Sequence, residues 1–121
     1  MITNYIVRGT VVSPVRINPV VGYCRFEGYP FIKFVHGLRD ASFFGDGGTF
    51  DKADEANAIK HMRLLPVQDT VKNYFNAWLR EVGDVGYTVS YKLELVKLSG
   101  PSLEQLEVTV VDTLEGTKEI A

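Results

Sequence analysis

Cysteine is nearly absent. The chain of 121 residues has one, Cys24, so no internal disulfide can form. That scarcity fits a reducing compartment, and the cytoplasm is the simplest expectation. Cys24 lies in a strand-like run, which predicts a buried, inert thiol. Histidine is scarce as well, with only His36 and His61. Together with Cys24 they do not form the short-spaced ligand set of a zinc site. Neither a metal nor another cofactor is expected.

Long hydrophobic runs are missing too. The longest are runs such as Leu64-Leu65-Pro66-Val67, far short of the ~20 apolar residues that span a bilayer. No membrane partner is expected. The opening MITNYIVRGT lacks the basic-then-apolar pattern of a signal peptide. No Walker, Gly-x-Ser-x-Gly or zinc-protease pattern occurs. His36-Gly37-Leu38-Arg39-Asp40 gathers an acid, a base and a cation, but nothing places a nucleophile beside them. The expectation is a protein that is not an enzyme.

What is present is enough for a core. Hydrophobic residues make up 45% of the chain and charged residues 23%, values of a globular protein rather than a disordered one. The length predicts one domain over 1–121. Net charge is −2, but it is unevenly spread. Residues 1–39 hold five basic residues (Arg8, Arg16, Arg25, Lys33, Arg39) against Glu27 alone, and the remainder is acidic. Such asymmetry can mark a surface for an anion.

The aromatic residues are also concentrated. Seven of the 14 fall in GYCRFEGYPFIKFVHGLRDASFF, residues 22–44. Within it, 20–27 and 31–36 read as strands joined by Gly28-Tyr29-Pro30. A three-residue loop pairs Glu27 with Phe31. Cys24, Phe26, Ile32, Phe34 and His36 then share one face, and Tyr23, Arg25, Phe31, Lys33 and Val35 the other. A two-residue loop would set Lys33 beside Cys24 and Phe26, mixing charge into the apolar face, so the three-residue loop is preferred.

Strands are further predicted at 4–12, 86–98 and 106–113. Gly9 interrupts the first, which suggests a bulge or sharp bend. Ser99-Gly100-Pro101-Ser102 reads as a turn, and the polar residues 114–121 as a frayed tail. Between the third and fourth strands lie two helices. One covers 51–65, capped by Asp51 with Asp54 and Glu55 in its first turn. The other covers 66–83, begun by Pro66 and stopped by Gly83. Its stripe of Val67, Val71, Tyr74, Phe75, Trp78, Leu79 and Val82 predicts a core face. The glycine-rich 45–49 resembles a phosphate loop only superficially, because Asp46 and Asp51 would repel a phosphate.

The fold expected is α+β: a small antiparallel sheet, or a partly open five-stranded barrel of OB-like order β-β-β-α-α-β-β. In the OB-fold the exposed face of strands two and three binds oligonucleotides. On that analogy Tyr23, Arg25, Phe31 and Lys33, with Arg39 nearby, form the candidate site. Rings would stack on bases and cations would meet phosphates. The partner expected is therefore single-stranded nucleic acid or a small nucleotide-like anion. The alternative is an accessory or inhibitor protein, of the kind carried by mobile elements, that uses this face for self-association or a protein partner.

Overall fold

The computed structural model describes residues 2–27, 31–41, 44–45, 55–102 and 104–121. The architecture is α+β. Its strands are β1 (Ile2–Val12), β2 (Val20–Phe26), β3 (Ile32–Val35), the two-residue β4 (Phe44–Gly45), β5 (Thr88–Ser102) and β6 (Gln105–Glu119). The helices α1 (Glu55–Leu64) and α2 (Asp69–Val82) lie between β4 and β5. The antiparallel sheet runs β3-β2-β1-β5-β6, and β4 pairs with the start of β1.

The sheet is not closed, so the barrel alternative is not met. β3 and β6 are its two edges. β3 has only four residues, and β6 is laddered to β5 alone. Gly9 marks no bulge either. The β1–β5 ladder runs without a break through Gly9↔Leu93, and Gly9 faces Gly22 across β2. The pair of glycines has a different cause, the bulk of Trp78 and Phe34. A Cβ on Gly22 would stand 2.9 Å from the Trp78 ring and 3.0 Å from Phe34 Cβ, and one on Gly9 3.0 Å from each ring. The two glycines form a flat trough in which Trp78 lies, stacked on Phe34 at 4.0 Å between centroids and 11° between planes.

Both helices cover one face of the sheet. Val7, Val11, Cys24, Ile32, Val89, Leu93 and Leu95 meet Ala58, Met62, Val71, Phe75, Trp78 and Leu79 in one buried cluster. The period-2 pattern of β5 sets this face, because Val89, Tyr91, Leu93 and Leu95 alternate with Ser90, Lys92 and Glu94. The stripe of α2 packs as its spacing predicts, with one exception. Pro66 and Val67 lie in the turn before the helix, which starts at Asp69 after Gln68. Val67 is exposed there. Pro66 carries no N–H, but the turn bonds Val67 and Gln68 N–H to Leu64 C=O delay the new helix. Gly83 does end α2. Its N–H bonds to Leu79 C=O, and a Cβ there would stand 2.7 Å from that oxygen.

The C-terminal reading needs correction. Residues 99–102 continue β5 rather than turning, and 114–121 are not frayed. β6 pairs with β5 as far as Thr88↔Glu119. Ile120 then enters the core at 1% exposure. Its N–H donates to Tyr87 C=O, and its C=O accepts from Gly86 N–H. A polar composition hid the strand because most of its side chains face solvent and only its backbone is paired. The residues assigned to the 28–30 turn, to 46–49, and to the cap at Asp51 and Asp54 lie outside the described residues. No helix among the described residues is long and apolar enough to cross a membrane.

Candidate functional site

The face opposite the helices is only partly covered. Its residues follow from register. Arg8 pairs with Tyr23, Tyr23 with Val35, and Arg25 with Lys33. All therefore point to the outer side, as the three-residue hairpin loop predicts. The register that such a loop requires is present: Glu27 N–H donates to Phe31 C=O at 2.9 Å, and Phe26 faces Ile32. On the same side lie Ile6, Thr10, Val12, Val21, Lys92, Glu94, Val96 and Leu98.

A short 3-10 turn, Leu38–Asp40, lies over part of this face. Ile6, Ala41, Val96 and Leu98 are buried there, with Tyr23, Leu38 and Leu106 packed around them. Tyr23 is thus half-buried, its ring used for packing rather than offered as a free platform. Arg39 belongs to the same turn and is exposed.

Phe31 does not join Tyr23. It precedes β3, and its ring meets Tyr74 of α2 edge-on at 5.4 Å. The side chain has turned around the sheet edge toward the helices, although half of it remains exposed. The physical reason is position: at the strand end no neighbour holds it to the outer face, and Tyr74 provides an apolar contact. The expected pair of stacking rings is therefore not assembled on one surface.

Three cations of the face have carboxylate partners, two of them sharing one. Lys33 Nζ lies 2.9 Å from Glu27 Oε1, and Arg25 Nε lies 3.3 Å from the same oxygen. The hydrogen bond from Lys33, reinforced by the charges of Lys33 and Arg25, holds the Glu27 carboxyl below its usual range. Arg8 Nε lies 3.2 Å from Glu94 Oε1, and Glu94 is buried. Sequence reasoning missed Glu27 and Glu94, yet the signal was there. Alternation puts Glu27 on the face of Arg25 and Lys33, and Glu94 on the face of Lys92.

Apolar side chains make up much of the remainder. Val12, Val21, Val108 and Val110 are exposed on this side. Between β1, β5 and β6 a shallow concavity of about 460 Å³ is lined by Thr10, Val12, Ser90, Lys92, Glu115 and Thr117, among others.

The other reactive candidates are separate from this face. Cys24 is fully buried on the helix side, and burial pushes its thiol well above the ordinary range, so it stays protonated. His61 lies on α1, where partial burial and then the charge of Lys60 lower its pKa. His36 is exposed at the end of β3. Among the described residues no three His, Cys, Asp or Glu side chains are grouped to hold a metal ion. Comparison with protein-family models, with curated proteins and with solved structures finds no match to this chain.

Proposed function

We propose that this protein is a non-enzymatic binding module whose outer sheet face docks on another protein. One observation carries the reading: three cations on that face, Arg8, Arg25 and Lys33, already have carboxylate partners, while its valines are exposed. A groove for single-stranded nucleic acid needs cations free to meet phosphates and rings free to stack. Here Arg25 and Lys33 would have to leave Glu27, and Arg8 would have to leave a buried Glu94. A protein interface has the opposite requirement. Apolar and aromatic residues with Arg, at low net charge, are its usual composition. The protein partner is thus favoured over single-stranded nucleic acid.

A photoreactive amino acid placed at Val12 or Val21, in an extract of the source cells, tests this. Asn73, on the solvent side of α2, is the control position. Both face positions should give an adduct with the same protein, and Asn73 should give none. The captured protein, purified, should bind the unmodified chain and lose about tenfold or more in affinity for Val21→Asp. Equal adducts at all three positions, or none at any, would remove the reading.

A further inference from the structure

β6 runs from Gln105 to Glu119 along one edge of the sheet. One side of it is laddered to β5, and no strand among the described residues pairs with the other. A long edge of this kind offers a row of unpaired N–H and C=O groups to a further strand. β6 carries Val108, Thr109, Val110, Val111, Thr113 and Thr117 and no proline. Those residues suit an extended strand and leave its N–H donors intact. Val108 and Val110 are 58% and 43% exposed beside the free edge.

We infer that a second copy of this chain pairs here, β6 against β6, antiparallel about a two-fold axis at Thr113. This uses the sheet edge and does not rest on the docking face proposed above. An axis perpendicular to the sheet keeps the helices of both copies on one side, so facing residues must belong to the same face. The bulge in β6 fixes the count. Leu95 faces Asp112 and Val96 faces Val110, which makes Val111 the extra residue. Val111 packs with the helix-side core, and Asp112 reaches Arg63 of α1, so the two count as one step on that side.

With the axis at Thr113, Leu114 meets Asp112, Glu115 meets Val110, Gly116 meets Thr109, Thr117 meets Val108 and Lys118 meets Glu107. Every pair lies on one face. Lys118 is the only basic residue of β6, and it meets Glu107 twice, once on each side of the axis. Opposite charges directly across a ladder stabilise the pairing, and like charges oppose it. Neighbouring registers lack this match. Moving the axis one step toward the N-terminus sets Asp112 against Asp112, and one step the other way leaves Lys118 facing Thr109. A second step that way sets Glu115 against Glu115. Of the acids near the axis, Asp112 is already compensated, because Arg63 donates two hydrogen bonds to it at 2.8 and 2.9 Å. Thr113 against Thr113 adds a favourable hydroxyl pair. The stems of Glu115 and Thr117 would cover Val110 and Val108.

Sedimentation equilibrium of the full chain tests the inference. A monomer–dimer equilibrium is expected, weakened by added salt. Glu107→Lys and Lys118→Glu each replace two attractions by two repulsions and should raise the dimer dissociation constant about tenfold. The exchange Glu107→Lys with Lys118→Glu should restore it. Circular dichroism should be the same for all four proteins, since both residues sit at the edge. A chain that stays monomeric throughout, a dimer indifferent to the single substitutions, or a double variant no better than either single would overturn the inference.

Discussion

Trp78 shows how one side chain dictates residues far from it in sequence. The indole needs a flat floor, and two neighbouring strands provide it by having glycine at paired positions. Phe34 stacks on one face of the ring, and Phe75 sits 6.3 Å away. A methyl group at Gly22 must displace the ring, so Gly22→Ala should cost about 1–3 kcal/mol, as overpacking does. In a Trp78→Leu background the same change should cost less, because one of the two close neighbours is gone and Phe34 alone remains. Urea unfolding of the four proteins measures this coupling, and additive effects would contradict the trough. The core role of Trp78 was legible from the spacing of α2. The role of Gly9 was not, because a glycine in a strand reads as a bend until its partner across the ladder is known. Glu27 differs again: its face was readable by alternation, yet the basic residues drew attention away from it.

At the scale of elements, β5 and β6 have 15 residues each. β5 was legible over most of its length from the clean alternation of 86–98, whereas β6 was legible only over 106–113. Alternation is visible only where one face is buried. β6 lies at the edge, and much of it faces solvent on both sides, so its hydrophobic signal is weak. What holds its end is backbone pairing and one anchor. Ile120 sits against Gly83 and the core, with both backbone groups bonded to the 86–87 turn. Ile120→Ala should therefore cost about 2–5 kcal/mol, the range for truncating a buried aliphatic side chain. A frayed tail would make the change nearly silent, so the urea midpoint separates the two. The α2 helix and the β2–β3 hairpin were legible for the opposite reason. Each has one strongly apolar side, and a one-residue slip would expose it.

For the whole molecule, α1 and α2 both lie on one side of an open sheet, and the other side is only partly covered. The element order was legible and matched a five-stranded barrel as well as a flat sheet. Closure depends on strand length and register, which a linear pattern does not carry. The uneven charge along the chain also reads differently once folded. Glu94, from the acidic part, lies against Arg8 from the basic part, and Asp84 lies 3.3 Å from Arg16. The two segments thus pair charges with each other, while Arg25 and Lys33 share Glu27 of their own segment, so three cations of the face that seemed built for an anion are already engaged.

That pairing is the central claim, and fluorescence anisotropy with labelled oligo-dT at low salt tests it most directly. The unmodified chain should give no binding. Glu27→Gln should gain weak binding that salt abolishes, because Arg25 and Lys33 are then released toward solvent; two freed cations imply a slope of roughly −1.4 in log affinity against log salt. Tight binding by the unmodified chain, lost in Arg25→Ala and unchanged by Glu27→Gln, would contradict the account and restore the nucleic-acid face.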